Sequence, residues 1–354
     1  MFLITNREVK KNRTGFDAFG KRTNRRGPHE LRLVEVTRSD RGYDVKVLED
    51  TLNREEKLSL GLPVSKVAYR SQLVARDIYR DIRESGRNLL LFVHGYNNNV
   101  EAVVERAYQL QDEFSVKVVP FSWPANGGGA AGALDYKSDK KDARASIGAL
   151  DRVLDMSRHY LKQLREEELE QIRQDANERF ADDAETRDEF LARTINQQCP
   201  FRVSLMLHSM GNYLFKQLLK STLYSGDELI FDNVVLVAAD TNNRGHKSWI
   251  DRVEFRNRMY VTINENDSAL RLSRMKSGSE QKARLGHYPY ELDSRRTVYV
   301  DVTESKHVGD SHAYFEGDAL QNTSVKDFFK AALNGEVAER DLDFNVARNL
   351  HRTT

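Results

Sequence analysis

The segment LMLHSMGNYLF (residues 205–215) places a serine between a predicted strand and a predicted helix, with no residues left for a loop. The apolar run ends at His208, and Gly211 follows Ser209 by two positions. A serine on such a sharp strand-to-helix turn is raised so that its hydroxyl can attack an electrophile. Serine and glycine are also common turn residues, so the segment alone leaves a nucleophile and an ordinary turn both open.

A serine nucleophile requires two further groups, and the chain supplies both after later apolar runs. A serine hydroxyl attacks poorly at neutral pH unless a base takes its proton, and the base needs a carboxylate that holds its tautomer. Carboxylates follow two apolar runs, at Asp240 and Asp267, and two histidines, His307 and His312, follow the last run. Serine, acid and histidine thus occur in an order known for catalytic triads. This favours a catalytic serine, while both carboxylates and both histidines stay candidates.

The elements that must position these residues are six apolar runs that alternate with helical patterns. The run LLLFV (89–93) is continuous, as in strands that a parallel sheet buries on both faces. Residues 98–114 then repeat apolar side chains at helical spacing. The remaining runs span residues 116–123, 203–208, 233–240, 259–267 and 296–303. The alternation predicts a three-layer α/β fold with a mostly parallel sheet, in which ligands bind outside the carboxyl ends of the strands.

The composition excludes several classes of protein. The chain has 354 residues, of which 39% are hydrophobic, and its net charge of +1 gives no global field for nucleic acid or an anionic membrane. Cys199 is the only cysteine, so no internal disulfide forms, which fits a reducing, cytoplasmic location. No run approaches the ~20 apolar residues of a membrane span. The basic segment 10–26 is interpreted as a solvated loop rather than a polyanion site.

Short blocks in a fixed order connect the candidate residues to a known family. The blocks are FVHGYNNNVE, FSWPANG, YKSD, LHSMGN, AAD, NENDSALRLS, ARLG and HAYF, and they lie between residues 85 and 320. Together they resemble a bacterial branch of the α/β-hydrolase superfamily, whose members are mostly hydrolases of unknown substrate. The resemblance implies the α/β-hydrolase fold. Residues 145–196, which have a helical apolar stripe and then a strongly charged segment poor in glycine, are interpreted as a helical insert between the fourth and fifth strands of the hydrolase pattern.

The resemblance also implies a role for each candidate. Ser209 matches the nucleophile, His312 the base and Asp267 the acid. The backbone N–H groups of Tyr96 and Met210 match the two donors of the oxyanion hole. Donors of this kind, aimed at the developing oxyanion, supply much of the rate enhancement in acyl transfer.

Some assignments keep an alternative. Asp240 is the second candidate for the acid, and His307 is the second candidate for the base. Trp123 and Tyr136 are candidates for substrate binding, with core packing and loop scaffolding as the respective alternatives. Leu207 stands where the superfamily has glycine, so either the helix and strand pack further apart or the leucine side chain finds its own space.

Two other histidines are assigned to the scaffold. His208 is adjacent to Ser209, but neighbouring side chains of a strand point to opposite faces, so we expect it to be packed and hydrogen-bonded. His94 is expected to fix the oxyanion loop from below. The remaining histidines show no ligand spacing with Cys, Asp or Glu, so no metal and no cofactor is predicted.

The predicted function is a serine hydrolase that cleaves a carboxylic ester or thioester of a small molecule through an acyl-enzyme. A serine peptidase or amidase would use the same triad. A hydrolase-like protein that is inactive and only binds a partner is the hypothesis from a different class, favoured by Leu207 and by the long charged insert.

We expect four parts along the chain. Residues 1–86 supply N-terminal strands and a helix that join the sheet, and residues 87–144 and 197–335 form the hydrolase core. Residues 145–196 form the charged helical insert, and residues 336–354 form a C-terminal tail. The insert is a lid over the site, an arm for homo-oligomer formation, or an exposed hairpin without a function.

Overall fold

The computed structural model describes residues 1–125, 132–197, 201–222, 229–275 and 283–354. Within these ranges the chain forms an eleven-stranded sheet, a separate two-stranded hairpin and ten α-helices. The large sheet carries the candidate residues at the ends of its strands.

The strands follow the six predicted runs, and further strands occur at both ends of the chain. The strands are β1 (Phe2–Thr5), β2 (Arg7–Val9), β3 (Phe19–Thr23), β4 (Arg32–Ser39), β5 (Gly42–Val47), β6 (Asn88–Val93), β7 (Val116–Ser122), β8 (Val203–His208), β9 (Asn233–Val237), β10 (Arg258–Ile263), β11 (Val298–Asp301), β12 (Asp343–Asn345) and β13 (Leu350–Arg352). The helices are α1 (Arg54–Ser59), α2 (Arg70–Ser85), α3 (Val100–Phe114), α4 (Gly132–Ala145), α5 (Ile147–Arg179), α6 (Ala184–Gln197), α7 (Met210–Lys220), α8 (Lys247–Ile250), α9 (Ser268–Met275) and α10 (Thr323–Leu333).

The strand order in the large sheet is β12-β13-β11-β10-β9-β8-β6-β7-β1-β4-β5. Every neighbouring pair from β13 to β1 is parallel. Antiparallel pairs lie at the two edges, where β1, β4 and β5 follow one another and β12 pairs with β13. A large, mostly parallel sheet with helices confirms the predicted three-layer α/β class.

The central strands are apolar on both faces, so helices must cover them. Phe92 and Val93 of β6, adjacent residues that point to opposite faces of the sheet, are both fully buried. Helices α3 and α10 pack against each other, with the ring centroids of Phe114 and Phe329 6.3 Å apart, and α7 packs against α4 and α8. Each large apolar side chain that leaves water contributes about 1.5–3 kcal/mol. The strand ends that carry the candidate residues therefore belong to a rigid, well-packed frame.

The two ends of the chain extend the sheet. β1 pairs with β7, and the basic segment 10–26 lies in and around the β2–β3 hairpin. Residues 336–354 were expected to form a tail, but they contain β12 and β13, and β13 pairs with β11. The exposed residues 343–345 carry no apolar alternation. They form a strand because neighbouring backbone supplies hydrogen-bonding partners that the local sequence does not reveal.

The chain divides into two compact units. Unit 1 consists of Met1–Asp50, Asn88–Val153 and Arg202–Thr354 and contains every described strand. Unit 2 consists of Thr51–Arg87 and Leu154–Phe201. The predicted insert is helical, as α5 and α6, and unit 2 also takes in α1 and α2 from the segment before the core.

Unit 2 is held together by contacts between its two segments. Tyr79 on α2 packs edge-on against Phe201, with the ring centroids 5.3 Å apart. Arg83 on α2 pairs with Glu168 on α5 at 2.6 Å. Segments that lie far apart in the sequence are therefore both needed to complete this unit.

Candidate functional site

Ser209 forms the entire connection between β8 and α7, because the strand ends at His208 and the helix begins at Met210. Its backbone has φ 54° and ψ −120°, a conformation that a residue with a side chain rarely adopts and that its surroundings must hold in place. The Ser209 N–H donates to Val237 O (3.0 Å), and the Ser209 carbonyl accepts from the Asp240 N–H (3.2 Å). The sharp turn expected from the sequence is present.

Two glycines allow the backbone around Ser209 to pack closely. A Cβ on Gly211 would lie 2.7 Å from Val93 O, so a side chain there would push α7 away from the end of β6. A Cβ on Gly95 would lie 2.5 Å from the Ser209 Cβ. Leu207, in the position where the superfamily has glycine, is fully buried, so the core accommodates its side chain.

The peptide after Ser209 has a fixed orientation. The Ser209 carbonyl accepts a hydrogen bond from the Asn212 N–H and another from Asn212 Nδ2, both at 3.1 Å. In a trans peptide the N–H of the next residue points away from the carbonyl. The Met210 N–H therefore points to the opposite side, where the first N–H groups of α7 have no partner within the helix and the helix dipole favours negative charge.

The peptide before Tyr96 is fixed in the same way. The Gly95 carbonyl accepts from His94 Nδ1 at 2.7 Å and from Asn98 Nδ2 at 3.4 Å. Asn98 Nδ2 also donates to the Tyr96 carbonyl at 2.7 Å. Because the Gly95–Tyr96 peptide is trans, the Tyr96 N–H is directed away from the His94 ring. The side chains of His94 and Asn98 thus set the direction of the second predicted oxyanion donor.

His94 is held as the neutral tautomer that this role requires. The Trp123 N–H donates to His94 Nε2 at 3.1 Å, so the proton of the imidazole resides on Nδ1. Burial lowers the pKa of His94 to about 3. The Trp123 ring stacks on the imidazole with centroids 5.3 Å apart, and it is fully buried. His94 thus holds the Gly95 carbonyl in place, and the position of Trp123 favours the core-packing alternative over substrate binding.

His312 and Asp267 form a hydrogen-bonded pair. His312 Nδ1 lies 2.7 Å from Asp267 Oδ2. Asp267 is fully buried, and its other oxygen accepts from the Leu270 N–H at 2.8 Å, which caps the start of α9. The His312 side chain is 24% exposed. A carboxylate with one oxygen tied to a helix end and the other to an imidazole can orient that imidazole and stabilise its protonated form.

The loop that carries His312 is fixed by side chains from two strand ends. His208 Nε2 donates to the His312 carbonyl at 3.0 Å, and the two imidazole centroids are 4.8 Å apart. Asn264 Nδ2 donates to the carbonyls of Gly309 (3.1 Å) and Ser311 (3.0 Å). Burial lowers the pKa of His208 well below its usual value, so this histidine is a neutral donor. Because His208 precedes Ser209 directly, it ties the His312 loop to the serine turn.

The rival carboxylate has a different set of partners. Asp240 Oδ1 lies 3.0 Å from Arg284 Nε and accepts from Ser273 Oγ at 2.7 Å. Both members of this ion pair are almost completely buried, with side chains 4% and 3% exposed. Arg284 also donates to Asn242 Oδ1 at 2.7 Å. Asp240 therefore anchors the loop around Arg284, while Asp267 holds the histidine.

The remaining candidates are placed as follows. His307 is exposed, in a turn with φ 68°, whereas His312 reaches the carboxylate. Tyr136 belongs to α4, but its side chain lies outside the described residues, as does Cys199. Among the described residues, no group of three or more His, Cys, Asp or Glu could hold a metal ion. None of the described helices has the length and apolarity required to cross a membrane.

Several residues that build the site were missed from the sequence. Asn98, Asn212 and Asn264 each follow a strand and are buried, and their amides hold the carbonyls of the surrounding loops. Buried Arg7 donates to the Asn98 carbonyl at 2.6 Å. The asparagines in the blocks YNNN, MGN and NEND were the available signal, because asparagine favours turns and hydrogen-bonds nearby backbone.

Comparison with known families gives this arrangement a context. Residues 71–168 and 175–322 match the family described as "Alpha/beta hydrolase of unknown function (DUF900)". The chain belongs to this family. The alpha/beta hydrolase match spans Ser209, Asp267 and His312 and confirms the superfamily inferred from the motifs. No curated protein and no solved structure matches the chain.

Proposed function

We propose that this alpha/beta hydrolase is an active serine hydrolase that cleaves a carboxylic ester or thioester of a small molecule. The observation that carries the proposal is the 2.7 Å contact between His312 Nδ1 and Asp267 Oδ2, in a loop that is hydrogen-bonded to His208, the residue before a serine held at positive φ. When the carboxylate accepts the Nδ1 proton, Nε2 keeps the lone pair that a general base needs.

In the proposed first half-reaction, Ser209 Oγ attacks the carbonyl carbon of the substrate. His312 Nε2 takes the hydroxyl proton, and Asp267 stabilises the imidazolium that forms. The N–H groups of Met210 and Tyr96 donate to the oxyanion of the tetrahedral intermediate. When that intermediate collapses, the alcohol or thiol leaves with the proton from His312, and the acyl group stays on Ser209.

In the second half-reaction, water replaces the departed group. His312 takes a proton from the water molecule, the resulting hydroxide attacks the acyl carbon, and the same two N–H groups bind the second oxyanion. His312 then returns the proton to Ser209 Oγ, and the carboxylic acid is released. Because the oxyanion donors are fixed by backbone hydrogen bonds before the reaction, little reorganisation is required at either step.

Active-site labelling tests the proposal. A fluorophosphonate forms a bond from phosphorus to the oxygen of an activated serine and releases fluoride, so the wild-type protein should be labelled on residue 209. Ser209→Ala should abolish labelling, and Ser221→Ala, at the far end of α7, should leave it unchanged. A folded wild-type protein that is not labelled would contradict the proposal and favour a hydrolase-like binding protein.

A panel of substrates defines the bond that is cleaved. Nitrophenyl esters of increasing chain length, matched thioesters and matched anilides would be compared by kcat/KM. We expect esters and thioesters to be hydrolysed faster than anilides, and the reverse order would indicate a peptidase or amidase. The roles of residues 145–196 as a lid or as a homo-oligomer arm, and the cytoplasmic location, stay predictions.

A further inference from the structure

Arg106 on α3 contacts both loops that carry the proposed machinery. Arg106 Nη1 donates to Asn98 Oδ1 at 3.1 Å, and Asn98 is the residue whose amide holds the oxyanion loop. Arg106 Nε and Nη2 donate to the two carboxylate oxygens of Glu316 at 2.7 and 2.6 Å. Glu316 lies four positions after His312. A single guanidinium therefore bridges the oxyanion loop and the histidine loop.

A ring contact adds to the second half of this bridge. The guanidinium carbon of Arg106 lies 5.7 Å from the ring centroid of Phe315. The Phe315 ring packs edge-on against His208, with the centroids 5.0 Å apart, and His208 donates to the His312 carbonyl. Movement of Arg106 would therefore disturb the histidine loop both at Glu316 and through the rings.

Asn98 is also held from its other end. Arg7 Nη2 donates to the Asn98 backbone carbonyl at 2.6 Å, while Arg106 binds the side-chain carbonyl. Arg7 Nε donates in addition to Ser122 Oγ at 3.0 Å. With both of its carbonyls bound by arginines, Asn98 has little freedom to rotate, so its amide must stay on the carbonyls of the oxyanion loop.

The geometry at Arg106 depends on the shape of the guanidinium. Its planar fork presents N–H groups in fixed directions and matches a carboxylate with two parallel bonds, leaving another N–H for a third acceptor. A lysine keeps the charge but has one compact ammonium on a flexible stem. It cannot hold Asn98 and both Glu316 oxygens with the same geometry.

We propose that Arg106 is a positioning residue that fixes the distance between the oxyanion donors and His312. The inference rests on the proposed function, because it assigns a purpose to the spacing of those groups. A displacement of about 1 Å in a catalytic constellation lowers rates by about 10²-fold. Arg106→Lys should therefore lower kcat much more than it raises KM, since the donors and the base act most strongly in the transition state.

The chain offers a control in a second forked arginine, on β4, that binds a carboxylate of the same helix. Arg38 makes a two-bond contact with Asp112 of α3 at 2.7 and 3.2 Å, and its guanidinium carbon lies 4.5 Å from the Tyr108 ring centroid. This pair resembles that of Arg106 and Glu316 but contacts neither loop of the site. Arg38→Lys therefore measures the general cost of exchanging a forked arginine that pairs with a carboxylate of α3 for a lysine.

The experiment combines two measurements on wild type, Arg106→Lys and Arg38→Lys. The first is the second-order rate constant of fluorophosphonate labelling, and the second is amide hydrogen exchange of segments 94–99 and 309–316. We expect Arg106→Lys to lower the labelling rate by about 10- to 100-fold and to speed exchange in both segments. Arg38→Lys should change neither quantity.

The two measurements separate this proposal from the proposed function. If wild type is not labelled but Arg106→Lys still loosens both segments, the hydrolase activity fails and the bridge between the loops stands. If Arg106→Lys is labelled at the wild-type rate, or if only one segment exchanges faster, Arg106 has a packing role alone and the proposal is overturned. Glu316→Gln, which keeps the side-chain shape, should lower the labelling rate by a smaller factor; an unchanged rate would count equally against the bridge.

Discussion

The ends of β9 and β10 are neighbours in the sheet and each carries an aspartate, yet the two carboxylates have different partners. After β9, Asp240 is paired with Arg284 and accepts a hydrogen bond from Ser273, so its carboxylate is bound by donors inside the protein. After β10, Asp267 gives one oxygen to the start of α9 and the other to His312. Both carboxylates are buried, so burial does not distinguish them.

The comparison teaches that the type of partner separates a structural carboxylate from one that can assist catalysis. Arginine stays protonated at neutral pH, so a carboxylate paired with it has a constant electrostatic role. An imidazole can gain and lose a proton during a reaction, so a carboxylate paired with it can stabilise a charge that appears only transiently. This difference makes Asp267 the acid of the proposal and Asp240 an anchor.

Of the changes at the two aspartates, Asp267→Asn should have the larger effect on labelling. An asparagine can still cap α9, so the fold should persist, but it no longer stabilises the imidazolium of His312 or selects its tautomer. We expect a loss of about 10³- to 10⁴-fold in the labelling rate. Fluorophosphonate kinetics check this, with thermal unfolding as the control for the fold; an active Asp267→Asn variant would reverse the comparison in favour of Asp240.

Asp240→Asn should act on stability instead. It leaves the buried guanidinium of Arg284 without its counter-charge, which costs about 3–5 kcal/mol when one partner of a buried pair is removed. Urea unfolding would measure the loss, and the labelling rate of the folded protein should stay unchanged. The double variant Asp240→Asn with Arg284→Met removes both charges and should recover much of the lost stability; no recovery would show that the pair itself is not the cause.

His94 also has fixed hydrogen-bonding partners, and its burial makes the stability of the protein depend on pH. Both ring nitrogens of His94 are bound, and its pKa is lowered to about 3 by burial. The unfolded chain takes up a proton near pH 6.5 and the folded chain does not. The free energy of unfolding should therefore fall as the pH drops from about 6.5 towards 3, by up to about 1.4 kcal/mol per pH unit.

Urea titrations at pH 7, 6 and 5 would measure that slope. His94→Gln keeps a donor and an acceptor but does not titrate, so it should be less stable at pH 7 and have a shallower slope. A variant with the wild-type slope would assign the pH dependence to other groups.

The smallest effect is expected at His307. His307→Gln should change neither the labelling rate nor, beyond about 0.5 kcal/mol, the free energy of unfolding, as is usual for exposed positions. His312→Gln should abolish labelling. Loss of labelling in His307→Gln would mean that His307 is the base, and not His312, the partner of Asp267.

The sequence was sufficient to predict the fold class and the residues at the strand ends. Continuous apolar runs marked the parallel strands, and the order of serine, acid and histidine selected the side chains that the proposal uses. The choice between Asp240 and Asp267 could not be made, because both follow a strand. It depends on where the loop of Arg284 folds back, and that loop has no periodic pattern.

The supports of the oxyanion loop could not be predicted either. Arg7 and Asn98 are separated by 91 positions, and Arg106 and Glu316 by 210. A hydrogen bond between such distant residues leaves no local spacing in the sequence. The strands β12 and β13 were missed for a related reason, since β13 pairs with the distant strand β11 and β12 in turn pairs with β13.

The composition of unit 2 from two separated segments has a consequence for synthesis on the ribosome. Helix α2 buries Val74 and Ile82 and packs through Tyr79 on Phe201, a residue that emerges much later. At roughly 5–20 residues per second, α2 waits several seconds or more for its partner segment. During that interval its apolar face is available to chaperones or to another nascent chain, so translation speed between the two segments should influence the yield of correctly folded protein.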